Sequence, residues 1–272
     1  MEPKPTHLAG EFGAWFKDPL VATAYPARPP YPQACIDLLG SLIVDEPRTV
    51  LDVGCGTGDL ARRLAPLVHR IDAIDFSTAM LERGHNLPGG DAPILRWIEA
   101  PVETAPFNVP YALITAGESL HWMAWDVVMP RFAAALSEHG VLAIAARNWE
   151  GTPALHDRLM PIYTRYAANR FYGWRPIVLT DELVQRSLFK LLGHQRYGPE
   201  PWQPTTEEYL ECRHSQQGFS RTHMGPADVE AFDRAIRAAL EDLLRAGVID
   251  CIDGRWQLTV DAAMHWGLPL PP

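Results

Sequence analysis

The stretch Val50-Leu51-Asp52-Val53-Gly54-Cys55-Gly56-Thr57-Gly58-Asp59-Leu60 constrains this chain more than any other. A β-branched and leucine run over 49–53 leads straight into three glycines. Asp59 then opens a helix whose Leu60, Leu64, Leu67 and Val68 share one face. Strand, glycine turn and helix in that order let a ligand lie against bare backbone at the carboxyl end of a first strand. The glycine spacing is GxGxG, because position 59 is Asp, so the GxGxxG pattern of pyrophosphate binding is not met. Asp75 closes the following strand, where an acidic side chain can hydrogen-bond both hydroxyls of a ribose.

The surrounding pattern predicts helices near 33–43, 59–68, 77–83 and 125–137, and strands near 49–53, 71–76, 94–98, 111–116 and 141–146. Strands alternating with helices imply a parallel sheet covered on both faces, a doubly wound, Rossmann-like α/β fold. After Arg147 the rhythm changes, and Trp149, Tyr163, Tyr166, Phe171, Tyr172 and Trp174 fall among helix-like segments broken by Pro153, Pro161 and Pro176. These aromatics are read chiefly as a core of their own. Residues 227–245 form an amphipathic helix with Phe232, Ile236, Ala239, Leu240 and Leu243 inward. Two strand-like pieces, 248–252 and 256–266, flank Asp253-Gly254, a hairpin signal. The expected organisation is a proline-rich cap over 1–32, an α/β core over 33–149, an inserted helical lid over 150–245, and terminal strands over 246–272 that complete the core sheet. The cap holds seven of the 25 prolines, which disfavours a continuous helix there.

Composition narrows the partners. The net charge of −9 and the lack of any Lys/Arg-rich run argue against a nucleic-acid partner, whose phosphates demand cations. Cys35, Cys55, Cys212 and Cys251 are scattered, and ten histidines form no ligand-spaced cluster, so neither a disulfide framework nor a metal site is expected. The first residues carry no signal-peptide pattern, and the longest apolar run, 141–146, is far short of the roughly 18 residues a membrane span needs. A cytoplasmic protein without membrane contact is expected. Its oligomeric state is not encoded in any pattern here.

A ribose partner without a pyrophosphate cradle is the profile of an S-adenosyl ligand. LDVGCGTGDL followed by AIDFSTAMLERG resembles the first two cofactor motifs of the class I S-adenosylmethionine (SAM)-dependent methyltransferases, in the right order and spacing. Tyr25-Pro26-Ala27-Arg28-Pro29-Pro30-Tyr31-Pro32 is similar to an N-terminal segment of small-molecule members, including trans-aconitate methyltransferase-like proteins, where it closes over the cofactor. The resemblance implies a seven-stranded sheet whose last strand is antiparallel. It also implies that Asp52, Gly54, Gly56 and Gly58 line the methionyl end, that Asp75 holds the ribose, and that Phe76 and Met80 flank adenine. The third motif departs from the family's Asp-Ala, reading Ala100-Pro101-Val102-Glu103, so adenine is assigned either to the Glu103 carboxylate or to the Val102 backbone. Gly117 follows the fourth strand beside the methionyl end, and the resemblance also places Arg28 at the cofactor.

The candidate catalytic residues are His121 and Glu118, in the Gly117-Glu118-Ser119-Leu120-His121-Trp122 loop at the carboxyl end of the sheet. His121 is read either as a general base for the acceptor or as a packed histidine. Glu118 is read as a base, as a partner of the methionyl amine, or as a solvated carboxylate. The resemblance implies an enzyme that moves a methyl group from SAM to a small-molecule acceptor, with a carboxylate or hydroxyl oxygen favoured. A nitrogen or carbon acceptor, a peptide acceptor, and a noncatalytic SAM-binding regulator are the alternatives.

Overall fold

The computed structural model describes residues 13–149, 152–168 and 178–271. Five parallel strands, β1 (Thr49–Val53), β2 (Arg70–Asp75), β3 (Leu95–Glu99), β4 (Tyr111–Gly117) and β5 (Leu136–Asn148), form the body of the sheet. Two more join it: β6 (Phe189–Trp202), and a last strand, Leu258–Pro269, that runs antiparallel between β5 and β6. With a small hairpin, β7 (Cys251–Ile252) and β8 (Arg255–Trp256), lying between them in the chain, that last strand is β9. The order β3-β2-β1-β4-β5-β9-β6 makes a doubly wound seven-stranded sheet whose last strand is antiparallel.

Both faces of the sheet are covered, which is why β1 is buried along its whole length. Val50 packs on one face with Ile36 and Leu39 of helix Gln33–Leu42 and with Leu60 and Leu64 of helix Asp59–Leu64. Leu51 and Val53 point to the other face, against Val128 and Phe132 of helix Trp125–Ala135. A third core sits among the lid helices and reaches the sheet at Trp202 of β6 and Leu258 and Val260 of β9. It joins helices Pro153–Tyr166, Thr206–His214 and Pro226–Arg245 through Leu155, Tyr163, Phe219, Phe232 and Ile236.

The range read as a helical lid differs from that expectation in one respect, because it contains β6. The reason is visible in the strand itself. It is an edge strand, mostly exposed between Phe189 and Trp202, and its register shifts at Leu191/Gly193 and Tyr197/Glu200. Bulges at glycines and prolines erase the alternation by which a strand is read. Gly193 is required there, since a Cβ would stand 2.2 Å from the Trp266 ring.

The terminal strands also divide differently from the expectation. Asp253 and Gly254 both have positive φ and turn the β7–β8 hairpin, but this hairpin is a separate two-stranded sheet. Trp256 docks it on the lid, donating its amide to Pro204 O at 2.9 Å and Nε1 to Thr206 Oγ1 at 3.1 Å. Within 246–272, only β9 completes the main sheet. Of the expected lid aromatics, Phe171, Tyr172 and Trp174 lie outside the described residues.

The described part of the cap is a 3-10 turn (Ala14–Lys17), a short helix (Pro19–Ala24) and a second turn (Tyr25–Ala27). Val21 and Ala22 pack on Met80. Ser77 Oγ donates to Phe16 O at 2.8 Å, tying the cap to the core, and Ser220 Oγ donates to Asp18 Oδ2 at 2.6 Å, tying it to the lid.

Candidate functional site

The glycine loop after β1, the end of β2 and the loop after β4 meet at the carboxyl edge of the sheet and enclose a cavity of about 310 Å³ beneath the cap. Gly54 and Gly56 present backbone to it, both in the left-handed region at φ 61° and 56°. A Cβ on Gly54 would stand 2.5 Å from Ser119 Cβ, so only glycine leaves this part of the wall as bare backbone. Ser119 in turn donates to Val53 O at 2.6 Å, fixing the post-β4 loop against the glycine loop.

Asp75 is buried at the end of β2. Its Oδ2 accepts from the Gly56 amide at 2.8 Å and its Oδ1 from the Ser77 amide at 2.9 Å. Burial raises its pKa, against the pull of those amides. Each carboxylate oxygen keeps a lone pair for a ligand hydroxyl. Phe76, Met80, Pro101 and Val102 form an apolar wall beside it, and Lys17 from the cap stands 5.4 Å over the Phe76 ring. Phe16 and Tyr25 close the cavity from the cap side, with Trp122 and Met123 from the post-β4 loop.

Glu118 lies on the wall beside Gly117, at φ 54°. Its Oε2 accepts from Arg147 Nε at 3.1 Å and Nη2 at 2.9 Å. Arg147 also donates through Nη1 to Asp59 Oδ2 and to Pro29 O, and its guanidinium lies 4.2 Å from the Tyr31 ring. Burial works to deprotonate this arginine, but Glu118, Tyr31 and Asp59 outweigh it and hold its pKa above the ordinary value. Glu103 is likewise engaged, its Oε1 accepting from the Ala124 amide at 3.0 Å.

Gly54, Gly56, Asp75, Phe76, Met80, Val102, Glu103, Gly117 and Glu118 are therefore brought together on one wall, and four sequence candidates are not. Asp52 faces the helix side of β1, accepting from Thr115 Oγ1 at 2.8 Å and from the Ala61 amide. Burial pushes its carboxyl up to about 7. Gly58 caps helix Asp59–Leu64 at φ 74°, where a Cβ would meet the Trp97 ring at 2.4 Å, so packing rather than a ligand demands the glycine. Arg28 turns to the lid, donating through Nε to Ser215 Oγ at 2.8 Å and through Nη2 to Ser215 O at 2.7 Å. His121 is half-buried with its ring 4.5 Å from that of Trp122, and it is Trp122 that reaches the wall. Sequence reasoning missed Gly13, Ala14 and Lys17 of the cap, and Ser119 and Met123. The only available signal was their closeness to the motifs they serve.

Fold and cavity together define a Rossmann-like α/β protein with a capped cavity at the carboxyl edge of its sheet. Residues 50–140 match the methyltransferase domain family. A trans-aconitate 2-methyltransferase of Delftia acidovorans is 38% identical over 165 residues, covering 57% of this chain and 59% of that enzyme. The match thus spans under two thirds of that relative's length. An uncharacterized methyltransferase of Mycobacterium bovis is 30% identical over 165 residues, 58% of this chain and 81% of that one. The crystal structure of a SAM-dependent methyltransferase from Geobacter sulfurreducens in complex with S-adenosyl-L-homocysteine shares the fold, with a TM-score of 0.52 at 12% identity over 92% of this chain and 96% of the other. The chain belongs to the class I SAM-dependent methyltransferases.

Proposed function

We propose that this protein transfers the methyl group of SAM to a carboxylate oxygen of a small organic acid. The observation that carries this reading is that the carboxylates on the cavity wall are already engaged: Asp75 by two amides, Glu103 by the Ala124 amide and Glu118 by Arg147. Among the described wall residues none stands ready to take a proton, and His121 is not on the wall. A carboxylate acceptor has a pKa far below neutrality and needs no base, whereas a phenol, an amine or a carbon acid would need one. The Delftia relative is named for an acid of this kind.

The wall fits the cofactor. Gly54 has no space for a Cβ beside Ser119, and Gly56 presents bare backbone at a left-handed φ of 56°. Asp75 would hold the ribose hydroxyls, Phe76, Met80 and Val102 would flank adenine with Glu103 at its edge, and Gly117 with Glu118 would face the methionyl amine. Bound SAM supplies a methyl group on a cationic sulfonium, which an anionic oxygen can take directly. The protein's own task is then positioning and exclusion of water: the cap roofs the cavity through Phe16 and Tyr25, and Arg147 fixes the Glu118 carboxylate in place on the wall. Four free thiols fit a reducing, cytoplasmic setting.

Turnover of methyl-labelled SAM against panels of small carboxylic acids, phenols and amines tests the proposal. Label is expected in a base-labile methyl ester from the acid panel. Label found only with phenols or amines would contradict the acceptor class, and SAM binding without any turnover would favour a regulator.

A further inference from the structure

A second cavity, of about 280 Å³, meets the cofactor cavity at Tyr25, the one described residue that lines both. Tyr25 stands over the glycine loop there, its Oη 3.6 Å from where a Cβ on Gly56 would lie. Three arginines from three different elements line the second cavity: Arg28 of the cap, Arg62 of helix Asp59–Leu64 and Arg147 of β5. Asp59 is the single carboxylate among its described lining residues.

The charges on this wall do not match. Asp59 Oδ2 accepts from Arg147 Nη1 at 3.1 Å, while the other nitrogens of Arg147 serve Glu118. Arg28 and Arg62, both half-buried, have only neutral partners. Arg28 donates through Nε and Nη2 to Ser215, and Arg62 donates through Nε to Thr57 O at 3.0 Å and through Nη1 to Pro88 O at 2.9 Å. Among the described residues neither has a carboxylate partner, and Arg28 Nη1 and Arg62 Nη2 are without an acceptor. Burial lowers the Arg62 pKa, and the nearby Asp59 restores it only in part. Two guanidiniums that share a cavity, each with an unused N–H edge and no counter-charge, form a receptor for an oxyanion, which takes charge-assisted bonds from both.

We infer that the second cavity binds a phosphate-type oxyanion between Arg28 and Arg62, and that the bound anion clamps the cap onto the core. Arg28 belongs to the cap and Arg62 to a core helix, so their like charges oppose closure, and an anion between them turns that repulsion into attraction. The same cap roofs the cofactor cavity through Phe16 and Tyr25, with Arg28 4.0 Å from the Tyr25 ring. Filling either cavity should therefore favour the closed cap, and each ligand should tighten the other by the same factor. This coupling rests on the cofactor reading of the first cavity, whereas the anion site stands on its own residues.

Calorimetric titration of the full chain with inorganic phosphate, in chloride buffer of matched ionic strength, tests the inference. One phosphate is expected to bind per chain, and Arg28→Met and Arg62→Met are each expected to bind it at least roughly tenfold more weakly, the loss of a charged hydrogen bond. Arg62→Lys keeps the charge and is expected to recover most of the affinity, which separates loss of the anion contact from loss of the fold. Saturating S-adenosyl-L-homocysteine is expected to raise phosphate affinity several-fold, and phosphate to raise affinity for that ligand equally. No phosphate binding to the wild type, or unchanged binding in both methionine variants, would overturn the inference. So would displacement of phosphate by S-adenosyl-L-homocysteine, which would give the cavity to that ligand's own carboxylate. Independent binding, with neither affinity changed, would overturn the clamp on the cap. Phosphate binding without any binding of S-adenosyl-L-homocysteine would instead overturn the cofactor reading of the first cavity.

Discussion

Gly58 and Asp52 sit within the motif that identified the family, yet each serves the fold rather than the ligand. Gly58→Ala must fit a Cβ 2.4 Å from the Trp97 ring at a left-handed backbone position, which is expected to cost about 2–4 kcal/mol in urea unfolding. A change below half a kcal/mol would show that Trp97 moves freely. Asp52 gives a pH test. Its carboxyl titrates near 7 in the fold against an ordinary 3.8, so between about pH 4 and 7 the native protein holds a proton that the unfolded chain has released. Stability from this residue therefore falls as pH rises through that window and is flat above it. Asp52→Asn is expected to remove that slope and to raise stability at pH 8 by a few kcal/mol; identical slopes for the two proteins would contradict the assignment. The sequence marked both residues because motif positions are counted along the chain. Which side of β1 a residue faces decides whether it meets the cavity or the helix, and the family pattern does not record that.

At the scale of elements, the cap is the part that links sequence to site most directly. Phe16, Lys17 and Tyr25 roof the cavity while Ser77, Ser220 and Ser215 anchor the same segment on core and lid. Ligand in the cavity should therefore quiet this segment. Hydrogen exchange over 13–27 is expected to slow several-fold when S-adenosyl-L-homocysteine is added, and unchanged exchange there would remove the cap from the site. In the lid, Thr205 and Glu208 form a reciprocal capping box on helix Thr206–His214, and Thr205→Ala is expected to lower stability by about 1 kcal/mol in thermal or urea unfolding. The alternating strands and helices up to β5 were legible because their apolar periods are uninterrupted. β6 was not, since its bulges and exposed edge leave no period to read, and the cap's aromatics showed only that the segment was packed, not what it packed on.

For the whole molecule, the seven-stranded sheet and its antiparallel last strand followed from the family resemblance, while the way Arg28 knits cap to lid through Ser215 had no trace in the sequence. Their partnership spans 187 positions and depends on two cores meeting at one seam. A cavity that binds only the native state couples ligand to stability, so the melting temperature is expected to climb steadily with the concentration of S-adenosyl-L-homocysteine. The most direct measurement is calorimetric titration of the wild type and of Asp75→Asn with that ligand. One molecule is expected to bind per chain, with affinity at least tenfold weaker in the variant, which loses the anionic acceptor at the ribose. Absence of binding to the wild type, or equal affinity in the two proteins, would contradict the cofactor site described for this chain.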